Sequence, residues 1–418
     1  MGNCQAAPAT RGYRWVVVTV AFLTFFVSFL DRLAWPAVEG FAHGAFGESV
    51  TTLSSFITAF YVAYVVTSAT SGFATDRLGP RRILVLAVGS LGFATALFGL
   101  SVSWHQGLVA QGLMGTFAGA DYAACVKVVA ACFDRFERGR ALGLLMTAPS
   151  IGIAVANAAF PSMVAVVGWR ALYGLLGALT ALIALACALV VRDPPRRDRP
   201  APSGGPHPQP LRVARAVALL TRDRNVRLIA LTGFGANWGT WGFSFWATSL
   251  MVRGHGLAPV QAGVVTAIFG CTAAASKPLY GLLSDIVQSR RGLVVADLTM
   301  FASMLIAFGA MTSPRAFLLT APFLGATAVI YSPLLAAMIT ETVPASTVAT
   351  ATGIVNALWQ LGSAAVPLIV GAVFASSGSF PAAFAALALG PAVGSVCAVG
   401  IREHRPDQVV MIDGAGVP

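Results

Sequence analysis

Twelve long apolar stretches limit how this chain can fold more than any other feature does. A helix needs about 20 mostly apolar residues to cross the hydrocarbon core of a bilayer, and these stretches have that length. The first six lie near residues 15–38, 50–73, 83–103, 107–132, 141–167 and 169–191. The second six lie near residues 226–251, 260–283, 293–313, 316–339, 348–376 and 381–400. We therefore predict an all-α membrane protein with twelve transmembrane helices.

The composition argues against most soluble classes of protein. Hydrophobic residues make up 57% of the chain and charged residues only 10%, whereas soluble domains carry about 25% charged residues. Too little polar surface is available to cover the core of a cytosolic enzyme or a nucleic-acid-binding protein. The six cysteines are scattered without metal-ligand spacing, so we expect no metal and no cofactor. The sequence also lacks the HExxH, GxSxG and phosphate-loop motifs, so we predict that the protein is not an enzyme.

Positive charge is distributed unevenly among the predicted loops. If the N-terminus is cytosolic, 21 of the 25 arginines fall in cytosolic segments and 3 in external loops. Cytosolic loops of membrane proteins carry such an excess of arginine and lysine. We therefore predict a multi-pass protein of the inner (plasma) membrane with both termini in the cytosol. The net charge of +11 then reflects topology and requires no nucleic-acid partner.

A polar segment divides the two sets of apolar stretches. Residues 192–224 are rich in proline and arginine, a composition typical of linkers. We predict an N-terminal six-helix bundle over residues 1–191 and a cytosolic linker over residues 192–224. A C-terminal six-helix bundle with a short cytosolic tail is predicted over residues 225–418.

The two predicted bundles also share a sequence pattern. Gly72 and Asp76 end the second stretch, and Gly281 and Asp285 end the eighth at an offset of 209 residues. Two sets of six helices related by repetition are typical of transporters, whose binding site lies between the halves near the middle of the membrane.

The loop after the second stretch carries a specific motif, GFATDRLGPRR. It resembles the loop between the second and third spans of the major facilitator superfamily. The matching residues are Gly72, Asp76, Arg77, Gly79, Arg81 and Arg82. A weaker copy in the second half keeps Gly281, Asp285, Arg290 and Arg291. The resemblance covers the chain from Arg14 to Arg405 and implies two six-helix bundles with pseudo-twofold symmetry that rock around a central cavity. It also implies that these residues form a cytosolic gate; the alternative is that the arginines act only as topology signals.

Two further resemblances indicate the class of substrate. The segments FLDRLAWPAV and FDRFERGRALG are similar to the anion:cation symporters, which carry organic anions with protons. Lys277 before Pro278 resembles the oxalate:formate and monocarboxylate carriers. Both resemblances imply symport of a small organic anion, a mono- or dicarboxylate, with protons. Proton-driven efflux of a drug-like compound or metabolite is the alternative; the fifth stretch lacks the glycine-proline pattern of drug:proton antiporters.

Charged residues inside the apolar stretches need an explanation, because a charge at the bilayer centre costs about 2.5–3.5 kcal/mol. Asp31 and Arg32 are adjacent, so on a helix they point in different directions. We predict that Arg32 faces the cavity and, with Lys277, receives the substrate carboxylate; a structural Asp31–Arg32 salt bridge is the alternative. Asp121 is the first candidate for proton coupling and Asp31 the second. The alternative for Asp121 is a structural acid paired with Lys127 or with a helix end.

Polar and aromatic residues on other stretches complete the predicted binding cavity. These candidates are Tyr61, Tyr64, Asn237, Trp238, Tyr331, Asn356 and Gln360; the alternative for each aromatic residue is a packing role. Asp297 follows Gly292 closely, so we expect it near the membrane surface. We expect the protein to work as a monomer in the lipid bilayer, with a small organic anion and protons as its partners.

Overall fold

A computed structural model describes residues 11–46, 50–133, 141, 144–192, 223–287, 289–343 and 348–402. The helices of the first half of the chain are α1 (Arg11–Phe46), α2 (Val50–Leu78), α3 (Pro80–Gly99), α4 (Trp104–Cys132), α5 (Ala148–Val167) and α6 (Trp169–Val190). Those of the second half are α7 (Arg224–His255), α8 (Pro259–Val287), α9 (Arg290–Gly309), α10 (Pro314–Thr327), α11 (Tyr331–Thr342), α12 (Val348–Ser377) and α13 (Phe380–Val399). The predicted linker lies almost wholly outside the described residues.

Each predicted apolar stretch coincides with a helix, and the tenth coincides with two, α10 and α11. Among the described residues, nine helical segments are long and apolar enough to cross a membrane. The prediction of an all-α membrane protein is therefore confirmed. Helices α2, α4 and α7 are not among the nine segments. The count of twelve crossings stays a prediction.

The two halves of the chain pack their helices in the same way. A methyl group on Gly115 of α4 would overlap the backbone carbonyl of Phe60 on α2, so these helices lie in close contact. Gly325 lies 210 residues after Gly115, and Phe269 lies 209 residues after Phe60. A methyl group on Gly325 of α10 would likewise overlap the carbonyl of Phe269 on α8. The sequence repeat therefore has a counterpart in the packing.

Among the described residues, the halves pack most extensively through three helix pairs: α1 with α7, α2 with α12, and α5 with α8. On α2, the Thr58 hydroxyl donates a 3.1 Å hydrogen bond to the carbonyl of Ala364 on α12. Between α5 and α8, Gly263 lies so close to the carbonyl of Asn157 that a methyl group would not fit. The halves are thus in direct backbone contact at these positions.

An ion pair joins the halves at the end of the bundle opposite the starts of α1 and α7, which we call the far end. Arg253 of α7 donates to the Glu39 carboxylate of α1 at 3.1 Å, and its Nε donates to the Ser249 hydroxyl at 3.1 Å. The Glu39 side chain is only 2% exposed, and such a buried charge requires a partner. A cavity of ≈ 210 Å³ lies beside this pair and is lined in part by Pro36 and Thr248.

The glycine contacts predict a sharp difference between two neighbouring substitutions on α4. Gly115→Ala should destabilise the protein by about 1–3 kcal/mol, because the new methyl group forces α2 and α4 apart. Gly112→Ala is the matched control, since nothing lies within 4 Å of a methyl group at that position. It should leave stability unchanged or raise it by up to about 1 kcal/mol through helix propensity. Melting temperatures of the purified proteins in detergent measure both effects, and equal losses would contradict the close contact.

Candidate functional site

Arg32 lies inside a cage of aromatic rings. Its side chain is 5% exposed, and its guanidinium carbon lies 4.3 Å from the ring centres of Phe29 and Tyr64. The ring centres of Phe60 and Tyr61 follow at 5.4 Å. We call these four residues the Arg32 cage. Aromatic faces attract cations, most strongly where water is excluded, so the cage holds the guanidinium in place.

Two aromatic residues of the second half close the cage from the other side. The ring of Trp241 on α7 stacks on Phe29 with centroids 5.8 Å apart, and Phe245 lies 5.2 Å from Tyr61. Trp241 and Phe245 are one helical turn apart and stack on each other at 5.8 Å. The Arg32 cage therefore lies at the junction of the halves.

No acid that the structure describes forms a salt bridge with Arg32, although Asp121 of α4 lies within range of its charge. The Nε and Nη2 atoms of Arg32 are buried and make no hydrogen bond. The neighbouring Asp31 points elsewhere and accepts a 3.0 Å hydrogen bond from Thr180 of α6. The sequence prediction that these adjacent side chains face different ways therefore agrees with the geometry, and the alternative of a salt bridge between them does not.

Asp121 is fully buried on α4, where it faces α1. The thiol of Cys125 lies 3.2 Å from its Oδ1, and that sulfur is 3.3 Å from the hydroxyl of Thr24 on α1. The Oδ2 atom of Asp121 has no hydrogen-bond partner. Lys127, named as a possible partner from sequence, donates to the Thr75 carbonyl at 3.1 Å. A desolvated carboxyl with one oxygen free is suited to carry a proton.

Three of the second-half candidates form a chain of hydrogen bonds. The Tyr331 hydroxyl donates to the Asn237 amide oxygen at 2.7 Å, and the Asn237 amide nitrogen donates to Gln360 at 3.4 Å. Trp238 points away from this chain and donates to the Ala386 carbonyl at 3.0 Å. Asn356 is exposed on α12.

Several residues around the site were not among the sequence candidates. These are Phe29, Phe60 and Phe245, and the four-residue spacing of aromatics around Arg32 and on α7 is the signal that could have found them. Trp241 lies on the seventh stretch, whose bulky aromatics beside glycines already predicted a cavity wall. Asp297, expected near the membrane surface, is 2% exposed within the second half, where α9 packs against α11 and α13. Its depth in the membrane stays a prediction.

The predicted gate is described only in part. Gly79 adopts a positive φ of 92° between α2 and α3, a conformation that glycine adopts without strain. Arg81 donates to the carbonyl of Ala188 near the end of α6 at 2.7 Å, while Arg82 is exposed and Arg290 begins α9. The structure describes only the helical backbone, and nothing beyond it, at five other candidate residues: Gly72, Asp76, Arg77, Lys277 and Asp285.

The sequence model of the Major Facilitator Superfamily matches residues 20–263 and 229–414. The chain belongs to the Major Facilitator Superfamily. It is therefore a multi-pass membrane transporter rather than an enzyme, and the resemblance of its GFATDRLGPRR motif to this superfamily is confirmed.

Relatives and solved structures agree with this assignment. The chain is 23% identical to a probable sulfoacetate transporter of Cupriavidus necator, over 67% of this chain and 66% of that protein. It is 24% identical to a probable L-galactonate transporter of Escherichia coli, over 76% and 74%. It is also 24% identical to a hexuronate transporter of Bacillus subtilis, over 93% and 94%. A bacterial homologue of the lysosomal transporter Spinster, in an inward-facing conformation, has the same fold with a TM-score of 0.74 at 17% identity, over 94% and 95% of the two chains.

The hydrogen bond from Thr180 to Asp31 predicts how substitutions of Thr180 change stability. Thr180→Val should lower the free energy of unfolding by about 1–3 kcal/mol, because it leaves the buried Asp31 carboxyl without its partner. Thr180→Ser keeps the hydroxyl and should melt close to the wild type. Melting curves in detergent compare the two variants, and an unchanged Thr180→Val protein would show that Asp31 does not depend on this bond.

Proposed function

We propose that the protein is a secondary active transporter of a small organic anion, a mono- or dicarboxylate, coupled to protons. It works by alternating access in the inner membrane, with both termini and the linker 192–224 in the cytosol. One observation carries this proposal: Arg32 is buried at the junction of the halves and forms no salt bridge with any acid that the structure describes. The substrates in the names of three relatives, sulfoacetate, galactonate and hexuronate, are all organic anions.

The chemistry of the Arg32 cage suits an anion. Guanidinium binds a carboxylate through two parallel hydrogen bonds, and it stays charged at all physiological pH values. The rings of the cage attract the cation but cannot accept strong hydrogen bonds from Nε and Nη2. A carboxylate at this position would supply those acceptors and neutralise the buried charge.

The position of the cage links binding to movement of the halves. Phe29 belongs to the first half and Trp241 to the second, and they stack on each other. We propose that Lys277 on α8 adds a second positive charge from the second half, so that one anion attracts both halves. A ligand shifts a conformational equilibrium only by binding one state more tightly than the other. Contacts from both halves provide such a difference.

Asp121 supplies the proposed coupling group, with Asp31 as the second candidate. Asp121 of α4 contacts the thiol of Cys125, and that sulfur contacts Thr24 of α1. The proposed coupling group therefore lies within the first half. Protonation would remove the negative charge of Asp121. A proton-coupling site must change its charge in this way when it binds and releases a proton. Asp31, by contrast, already accepts a hydrogen bond from Thr180.

Uptake into proteoliposomes tests the substrate class. With a panel of labelled mono- and dicarboxylates, the wild type should take up at least one compound under an inward proton gradient. Arg32→Gln and Lys277→Gln should each weaken apparent affinity about tenfold or more, as expected for loss of a charge-assisted hydrogen bond. Lys277→Arg should retain part of the affinity. Arg315→Gln, which alters an exposed arginine at the start of α10, is the matched control and should behave as the wild type.

Other outcomes of the uptake assay would contradict the proposal. Unchanged affinity in Arg32→Gln would remove the cage from the binding site. Efflux of cationic dyes without uptake of any carboxylate would favour the alternative function, export of a drug-like compound.

The coupling role of Asp121 predicts a split between two modes of transport. Asp121→Asn should abolish accumulation driven by a proton gradient while leaving anion exchange intact, because the amide resembles the protonated carboxyl. Exchange of internal against external labelled anion at equal pH provides the control. Normal gradient-driven accumulation by this variant would exclude Asp121 from coupling and leave Asp31 as the remaining candidate.

A further inference from the structure

A thiol lies between the proposed coupling acid and the helix that carries Arg32. Cys125 is fully buried on α4, one helical turn after Asp121, and its sulfur donates to the Oδ1 atom of Asp121 at 3.2 Å. Many buried cysteines only fill space in a core. The contacts of Cys125 give this one a more specific role.

Two oxygen atoms of α1 compete with Asp121 for the thiol hydrogen. The sulfur lies 3.5 Å from the carbonyl oxygen of Ala21 and 3.3 Å from the hydroxyl oxygen of Thr24. The Thr24 hydroxyl donates its own hydrogen to the Ala21 carbonyl at 2.9 Å, so toward the sulfur it can only accept. Because a thiol has a single hydrogen, the carboxylate of α4 and the two oxygens of α1 are alternative acceptors.

The charge of Asp121 decides which acceptor the thiol prefers. A carboxylate forms stronger hydrogen bonds than a neutral carbonyl or hydroxyl, so the thiol donates to Asp121 while that acid is charged. Protonation of the carboxyl removes this advantage. Rotation about the Cβ–Sγ bond is then enough to redirect the hydrogen, because the sulfur already lies within reach of both helices.

Few other titratable groups face Asp121. From α1, Arg32 lies within range of its charge, and Cys187 of α6 is a second buried thiol nearby. On α4 itself, Tyr122 packs against Phe25 and Lys127 donates to a backbone carbonyl of α2.

Helices α2 and α3 also pack against α4. The rings of Tyr61 and Tyr64 on α2 face Arg32, and the structure describes no side chain at the two charged residues that end α2. On α3, Arg81 donates to a carbonyl of α6 and Arg82 is exposed. Among the described residues, Cys125 is therefore the titratable group in hydrogen-bonding contact with Asp121.

We infer that Cys125 is a positioning residue for proton coupling, whose thiol donates to Asp121 while that acid is charged and to α1 once it is protonated. Donation to the carboxylate stabilises its charged form and so weakens its hold on the proton. Release of the thiol toward α1 passes the protonation of Asp121 on to the helix that carries Arg32. The proton that binds Asp121 comes from water, and no covalent bond of Cys125 forms or breaks. This inference rests on the proposed function, in which Asp121 carries the coupling proton.

Infrared spectroscopy of the purified protein in detergent tests the switch of the thiol without a substrate. The S–H stretching band of Cys125 is the difference between the spectra of the wild type and Cys125→Ala, or Cys125→Ser if the alanine variant does not fold. This band should move to higher frequency as the pH falls, because the thiol exchanges a charged acceptor for a weaker neutral one. In Asp121→Asn the same band should keep one position at every pH.

A titration of the carboxyl tests the effect on the proton. The C=O stretching band of protonated Asp121 is identified by its loss in Asp121→Asn. In Cys125→Ala the midpoint of its titration should move to higher pH by about half to one unit, which is proton binding about threefold to tenfold tighter, because the charged carboxylate loses a donor. Cys125→Ser keeps a donor and should titrate at the wild-type pH or below it. Cys132→Ala, the same substitution about two turns further along α4, is the matched control and should titrate as the wild type.

Several results would overturn the inference. An S–H band that does not respond to pH, or that moves equally in Asp121→Asn, would exclude the switch. Equal titration of wild type and Cys125→Ala would leave the thiol as a residue that only fills space. Failure of the proposed function looks different: the thiol would still follow the charge of Asp121, but Asp121→Asn would accumulate the anion normally.

Discussion

A guanidinium held by aromatic rings in the apolar interior is the interaction on which the rest of this structure depends. The other charged groups of α1 near Arg32 have partners, since Asp31 accepts from Thr180 and Glu39 binds Arg253. Cation–π contacts contribute about 0.5–2 kcal/mol each and fix the position of Arg32, yet they do not neutralise its charge. In the proposed mechanism, an anion that enters the cage neutralises this charge.

The rings of the Arg32 cage belong to α1 and α2, and Trp241 of α7 stacks on one of them. The contacts that surround Arg32 therefore also join the two halves. Each half is stiffened by close helix contacts such as Gly115 against Phe60. Closely packed interiors move as bodies rather than deform smoothly. The second half is interrupted at residues 328–330, between α10 and α11, where the Thr240 hydroxyl of α7 donates to the Ala328 carbonyl.

The sequence was sufficient to predict the fold class, because apolar length and the repeat are properties of the chain alone. It also indicated Arg32 and Asp121, since the cost of a buried charge marks them. It could not show which rings surround Arg32, because contacts between helices depend on rotation and tilt. The break at 328–330 has a local signal, since Pro333 cannot donate an N–H to the carbonyl of residue 329, but the apolar length of residues 316–339 predicts one continuous span. The burial of Asp297 was hidden for the same reason as those rings, since it follows from packing of α9 against its neighbours.

Two arginines lie between the halves, and they differ in one respect: Arg253 has a carboxylate partner in Glu39, whereas Arg32 has none among the described residues. Locating a bound anion therefore tests the account most directly. A crystal structure with a bromine-substituted carboxylate, identified by its anomalous scattering, should place the carboxylate within hydrogen-bonding distance of the Arg32 guanidinium. A carboxylate found instead in the far-end cavity beside Arg253, with the Arg32 cage unchanged, would contradict it.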